Sequence, residues 1–130
     1  MQPLPTEIVL LGVGAVLLLL QLFLQTISAA VEMGGDCKAG PRDEPKVLQG
    51  MFAGRADRAF RNLLERFPIF AALALALVVT GRNGGLGAQA WIVTRILYVP
   101  LYFIQIPYAR SLVWFVSVVA LVAMLVRLFQ

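Results

Sequence analysis

From residue 6 to residue 31 the chain runs with Glu7 as its only charged side chain, and apolar runs of similar character recur to the end of the sequence. A helix needs about 20 mostly apolar residues to cross the hydrocarbon core of a bilayer. The first run is long enough. Its composition agrees: 60% of the 130 residues are hydrophobic and 14% are charged, against the roughly 45–50% apolar content of soluble domains. The expected fold is therefore all-α and integral to a membrane, a bundle of four transmembrane helices. Four spans with short connections use up the length, so residues 1–130 are expected to form a single domain with lipid as its solvent.

The expected spans cover about residues 6–31, 56–80, 88–108 and 111–129. Pro5 and Thr6 are start signals for the first, and Gly34-Gly35 closes it. Its amino-terminal flank, Met-Gln-Pro-Leu-Pro-Thr-Glu, has no basic region and no small-residue cleavage site, so it reads as a retained span and not as a signal peptide. The apolar part of the second span, from Phe67 to Thr80, is too short to cross, but helical periodicity continues backwards through Arg58. That helix must begin polar and end apolar. Pro100 and Pro107 fall inside or at the end of the third span, where each lacks a backbone donor. Neighbouring helices in a bundle can satisfy the freed carbonyls.

Charge is placed unevenly. The formal net charge is +4, every acidic residue lies at or before Glu65, and seven of the eleven basic residues lie between Lys38 and Arg66. This is one polar block and not a binding groove, and aromatic and basic residues do not interleave outside the apolar spans, which argues against nucleic-acid binding. Together with Arg110 the block outweighs Arg82 and Arg127 at the opposite ends. The first loop is therefore expected on the cytoplasmic face, with both termini on the other side. Cys37 is the one cysteine and there is no histidine, which excludes an internal disulfide and a Cys/His zinc cluster. No metal site is expected, and Cys37 reads as a bystander loop thiol.

Within the spans, polar residues fall into stripes. On a helix at 100° per residue, Arg58, Arg61, Asn62 and Glu65 share an arc of about 100°, opposite Phe60, Leu63, Leu64 and Phe67. Arg61 and Glu65, like Arg58 and Asn62, are spaced i,i+4 and can pair. Arg95, Tyr98, Tyr102 and Gln105 form a second stripe in span three. Gln21, Gln25, Ser28 and Glu32 form a milder one in span one. A charge inside a span costs at least roughly 2.5–3.5 kcal/mol, so Arg95 must face a partner or a wet cavity; Glu65 is the nearest candidate by depth. Arg110 and Ser111 complete the set before span four. Guanidiniums, phenols and amides with one or two carboxylates suit an anionic, peptide-like ligand. The plainer readings are headgroup anchoring for Arg58, Arg61 and Arg66, an interfacial aromatic belt for Tyr98, Tyr102 and Tyr108, and structural ion pairing for Arg95.

At Arg58-Ala-Phe-Arg61-Asn62-Leu-Leu-Glu65 the sequence resembles the MAPEG family, the membrane-associated proteins of eicosanoid and glutathione metabolism. Arg95-x-x-Tyr98-x-x-x-Tyr102 and Arg110-Ser111 extend the likeness into spans three and four. Length and topology agree over essentially the whole chain, in the manner of the bacterial-type members similar to microsomal glutathione transferases. The resemblance implies a homotrimer, in a bacterial inner membrane, with glutathione between subunits near the cytoplasmic side. It implies that Arg58, Arg61, Asn62, Glu65, Arg95, Tyr98 and Tyr102 bind the tripeptide, and that Arg110, with Ser111 as a second donor, sits beside its sulfur. The implied reaction is conjugation of glutathione to a lipophilic electrophile arriving from membrane lipid, or reduction of lipid peroxides. In several relatives an arginine near the inner end of span one touches glutathione; here that stretch reads Ser28-Ala-Ala-Val-Glu32.

Two other functions fit parts of the pattern. A non-catalytic lipid-binding or adaptor protein shares the MAPEG fold, and intact Arg58, Asn62, Glu65 and Arg110 speak against it. A small four-span exporter needs a proton-exchanging carboxylate deep in span one, whereas Glu7 and Glu32 lie at that span's ends.

Overall fold

The computed structural model describes residues 1–34 and 50–130. They form four helices: α1 (Thr6–Met33), α2 (Met51–Val79), α3 (Leu86–Ile104) and α4 (Pro107–Phe129). Each is long and apolar enough to cross a membrane. Cys37 and the other residues from 35 to 49 lie outside the described residues.

α1 packs mainly on α2, and α3 mainly on α4. Lipid is as apolar as leucine, so close packing and buried polar bonds hold such helices together. The centre of the core is Phe70 of α2 stacked on Trp91 of α3, ring centroids 4.2 Å apart and nearly parallel. Leu63, Leu77, Ile92, Leu121 and Met124 surround this pair. Small residues set the closest approaches. A side-chain carbon on Gly87 would come within 3.0 Å of the Ala120 carbonyl oxygen and of Met124 Cγ, so α3 and α4 meet almost backbone to backbone there. Ala53, Gly54, Ala56 and Ala59 are small and buried at the start of α2. The helix reaches back to Met51, earlier than the expected start near residue 56.

The two carboxylates of α1 clasp backbone amides at its two ends. Glu7 Oε1 accepts from the Gly84 amide at 2.6 Å, in the turn between α2 and α3. Glu32 Oε1 accepts from the Gly50 amide at 2.5 Å, at the start of α2.

The boundary between the last two spans differs from the sequence-based expectation. α3 stops at Ile104, Gln105 takes a left-handed conformation (φ 59°, ψ 45°), and Pro107 opens α4. The cause is Pro107. It cannot donate to the Phe103 carbonyl, and its fixed φ suits the first turn of a new helix. Arg55 supplies the missing donor, its Nη1 lying 2.8 Å from Phe103 O. Gln105 is therefore the hinge residue of this corner, and Arg110 and Ser111 stand in the first turns of α4, not in a loop before it. Pro100 stays inside α3, and Pro68 inside α2.

Candidate functional site

The polar arc of α2 lies between α1 and α3, and its two edges are fixed by different partners. On the α3 edge, Arg58 Nε donates to the Tyr102 hydroxyl oxygen at 2.9 Å, and Asn62 Oδ1 accepts from Arg95 Nη1 at 2.8 Å. On the α1 edge, Asp57 pairs with Arg61 Nε at 3.0 Å and accepts from Gln25 Nε2 at 3.1 Å. The middle of the arc faces outward: the side chains of Arg61 and Glu65 are 71% and 72% exposed.

These contacts replace the pairing expected along the helix. Arg61 turns back to Asp57 and not forward to Glu65, and Arg58 reaches across to Tyr102 and not along to Asn62. The reason is chemical fit. Asp57 is a closer carboxylate for Arg61, and the phenol of α3 stands within reach of Arg58. Glu65 is left with a loose contact to Arg66 at 3.8 Å.

Arg95 is almost fully buried, at 1% exposure. It is bonded to Asn62 and, through Nη2, to the Ser117 hydroxyl oxygen of α4, so one guanidinium ties α2, α3 and α4 together. Its charge lies 5.6 Å from the Trp91 ring and 5.2 Å from the Tyr98 ring, an arrangement that attracts a desolvated cation to the aromatic faces. Its Nε has no hydrogen-bond partner. Glu65, the carboxylate expected beside it, stands instead on the outer face. Arg95 therefore orients Asn62 from behind.

The second half of the site is a cavity of about 470 Å³ lined by Tyr98, Arg110, Ser111, Trp114 and Phe115. The Arg110 guanidinium sits 5.2 Å from the Tyr102 ring centroid, and the Tyr98 and Tyr102 rings pack at 5.6 Å. Tyr102 thus joins the two halves, holding Arg58 with its oxygen and Arg110 with its ring. Arg66 lies against the far wall, 5.5 Å from the Trp114 ring, and also donates to the Asn62 carbonyl at 3.3 Å. Of the nine residues expected at the site, Arg58, Arg61, Asn62, Glu65 and Tyr102 lie on the arc or its α3 edge, Tyr98, Arg110 and Ser111 line the cavity, and Arg95 is buried behind Asn62. Gln105, counted in the stripe of span three, ends α3 instead.

A model of the MAPEG family matches residues 9–130. The chain belongs to the MAPEG family. No curated protein and no solved structure matches it. As a MAPEG protein with four membrane-spanning helices it is an integral, multi-pass membrane protein, in a family of membrane proteins of eicosanoid and glutathione metabolism whose members generally use glutathione.

Sequence reasoning passed over three side chains that contact the candidate site, Asp57, Ser117 and Trp114, and read a fourth, Arg66, only as a headgroup anchor. Asp57 stands four residues before Arg61, and the i,i+4 rule would have found it. Ser117 was visible only as a small hydroxyl in an apolar helix. The contact of Arg66 with Trp114 carried no signal, because it joins two helices distant in sequence. Among the described residues no cluster of His, Cys, Asp and Glu could hold a metal, and the donor set is of another kind. Among the described residues, the site's carboxylates are Asp57 and Glu65 against Arg58, Arg61, Arg66, Arg95 and Arg110, which favours a ligand with more carboxylates than ammonium groups.

Proposed function

We propose that this MAPEG protein is a membrane glutathione transferase, working as one domain in a homotrimer whose glutathione sites lie between subunits at the cytoplasmic side. The observation that carries this reading is the exposure of Arg61 and Glu65 on the outer face of a spanning helix, next to donors already fixed in place. Counting about 20 residues back from the end of α2 puts the start of its hydrocarbon segment near Phe60. Charges facing lipid there, near the edge of the hydrocarbon segment, cost less than the roughly 2.5–3.5 kcal/mol of a charge at a helix centre, but the cost grows from Arg61 to the deeper Glu65. A second copy covering them, with a charged ligand between, removes that cost.

Glutathione fits the donor set. At neutral pH it carries two carboxylates, one ammonium and a peptide backbone. Arg58 and Arg61 match the carboxylates, Glu65 the ammonium, and Asn62 the backbone; Tyr98 and Tyr102, steadied by Arg95, wall the far side. The tripeptide supplies a thiol that attacks an electrophilic carbon once it is a thiolate. Arg110 favours that ionised form, because a guanidinium beside a thiol of ordinary pKa near 8.5 stabilises the anion. Ser111 adds a hydroxyl donor from the same helical turn. Phe115 and Trp114 give the cavity an apolar wall toward α4's lipid-facing side, where Leu112, Val119 and Val122 are exposed. A lipophilic electrophile reaches the sulfur from there. Holding both reactants together supplies a large part of the acceleration. Reduction of a lipid peroxide would use the same thiolate.

The test is direct. The protein purified in detergent is titrated with glutathione by calorimetry, its thiolate absorbance is recorded, and conjugation to an activated aryl halide is assayed. Binding, a thiolate band below the ordinary thiol pKa and a conjugate are expected. No binding at millimolar glutathione would overturn the reading; binding without a conjugate would leave a MAPEG-fold ligand-binding protein or adaptor.

A further inference from the structure

The α1 edge of the site is held by a chain of polar contacts outside the Arg-x-x-x-Asn-x-x-Glu element. Gln25 Nε2 donates to Asp57 Oδ1 at 3.1 Å, and Asp57 Oδ2 takes Arg61 Nε at 3.0 Å. Thr26 Oγ1 donates to Gln25 Oε1 at 3.3 Å, which fixes the amide with its nitrogen toward the carboxylate. Both Asp57 oxygens are therefore engaged, and its side chain is only 20% exposed while that of Arg61 is 71% exposed.

We propose that Asp57, seated by Gln25, is a positioning residue that aims Arg61 at a carboxylate of the bound tripeptide. A guanidinium has one N–H on Nε and two on each terminal nitrogen. The pairing with Asp57 runs through Nε, so the terminal nitrogens stay free to grip a ligand carboxylate side by side. An unanchored arginine keeps many rotamers and loses them on binding, whereas a held one has already lost them. Gln25 suits its place because it is neutral. It steadies Asp57 from α1 without competing with Arg61 for the negative charge.

The sign of the effect separates this role from simple electrostatics. Asp57 is itself an anion beside an anion-binding arginine. If only the field mattered, removing it would tighten binding of a carboxylate-rich ligand. If it positions Arg61, removing it weakens binding.

The inference rests on glutathione being the ligand, and the experiment keeps the two claims apart. Glutathione affinity and steady-state constants are measured for the wild type, Asp57→Ala, Gln25→Met, Arg61→Ala and the Asp57→Ala/Arg61→Ala double variant. Asp57→Ala is expected to raise KM and Kd for glutathione by roughly tenfold, with kcat changed by less than about twofold. Gln25→Met, which leaves the ion pair in place, gives a smaller loss in the same direction. In the Arg61→Ala background, Asp57→Ala adds nothing further, because the two residues act as a unit. Unchanged or tighter binding by both Asp57→Ala and Gln25→Met overturns the positioning role. So does an undiminished Asp57→Ala effect in the absence of Arg61. A wild type that binds no glutathione instead removes the underlying reading, and the positioning role falls with it.

Discussion

At the scale of single residues, the site divides into side chains whose orientation is already fixed and side chains left free. Arg95 is fixed by Asn62 and Ser117, and Arg58 by Tyr102; Glu65 has only the distant Arg66. Glu65 is therefore the residue with most to gain from a ligand ammonium. Glu65→Gln keeps the shape and removes the charge, and a charge-assisted bond contributes about 1.5–3 kcal/mol. We expect glutathione Kd to rise by at least about tenfold, read by calorimetry, with kcat on the bound fraction largely preserved. Arg110 predicts the opposite split. Arg110→Ala should leave affinity within a few-fold, while the thiolate absorbance at neutral pH disappears, the thiol returning toward a pKa of about 8.5. An unaltered thiolate titration would assign activation to another donor. The sequence made Arg58, Asn62, Glu65, Arg95 and Tyr102 legible because each belongs to a helical stripe in a spanning segment, where polar side chains are costly without a purpose, whereas Arg110 stood out only by its place before span four and by the family resemblance. It did not reveal which were pre-oriented. Ser117 under Arg95 and Trp114 under Arg66 are contacts between helices, and a period of 3.6 residues says nothing about the neighbouring helix.

At the scale of elements, the geometry of the site depends on where α3 ends and how closely α4 lies beside it. The four spans were readable from apolar runs, and the turn after α2 from its glycines. The corner between α3 and α4 was not, because two prolines compete to break the chain. Pro100 remains helical, while Pro107 opens a new helix, and Arg55, from a helix far away in sequence, satisfies the carbonyl of Phe103 that Pro107 cannot serve. The packing that follows turns on Gly87. With the Ala120 carbonyl 3.0 Å from where its side-chain carbon would stand, Gly87→Leu must push α3 and α4 apart, at a cost typical of overpacking, about 1–3 kcal/mol. We expect a clearly lower thermal midpoint in detergent. Because Arg95 on α3 and Ser117 on α4 span the same seam, the variant should also bind glutathione more weakly. A stable Gly87→Leu protein with normal binding would mean that the seam can open without disturbing the site.

At the scale of the whole molecule, the single chain leaves charged side chains uncovered on a spanning helix. Its core is packed around Phe70 and Trp91, yet it turns Arg61 and Glu65 outward on a spanning helix. The homotrimer proposed above would cover them, and native mass spectrometry from detergent should give three times the chain mass; a monomer would return Arg61 to the headgroup-anchoring reading. Orientation is the remaining property of the assembly. The basic block around the first loop and Arg110 predicts that this loop and the site face the cytoplasm, where a soluble tripeptide would enter. Cys37 makes the test clean, being the one cysteine in the chain and lying in sequence between α1 and α2. A membrane-impermeant maleimide should fail to label it in intact cells and label it in inverted vesicles. Labelling from outside would invert the topology, place the Arg58 to Glu65 surface on the far side of the membrane, and require glutathione to be supplied there.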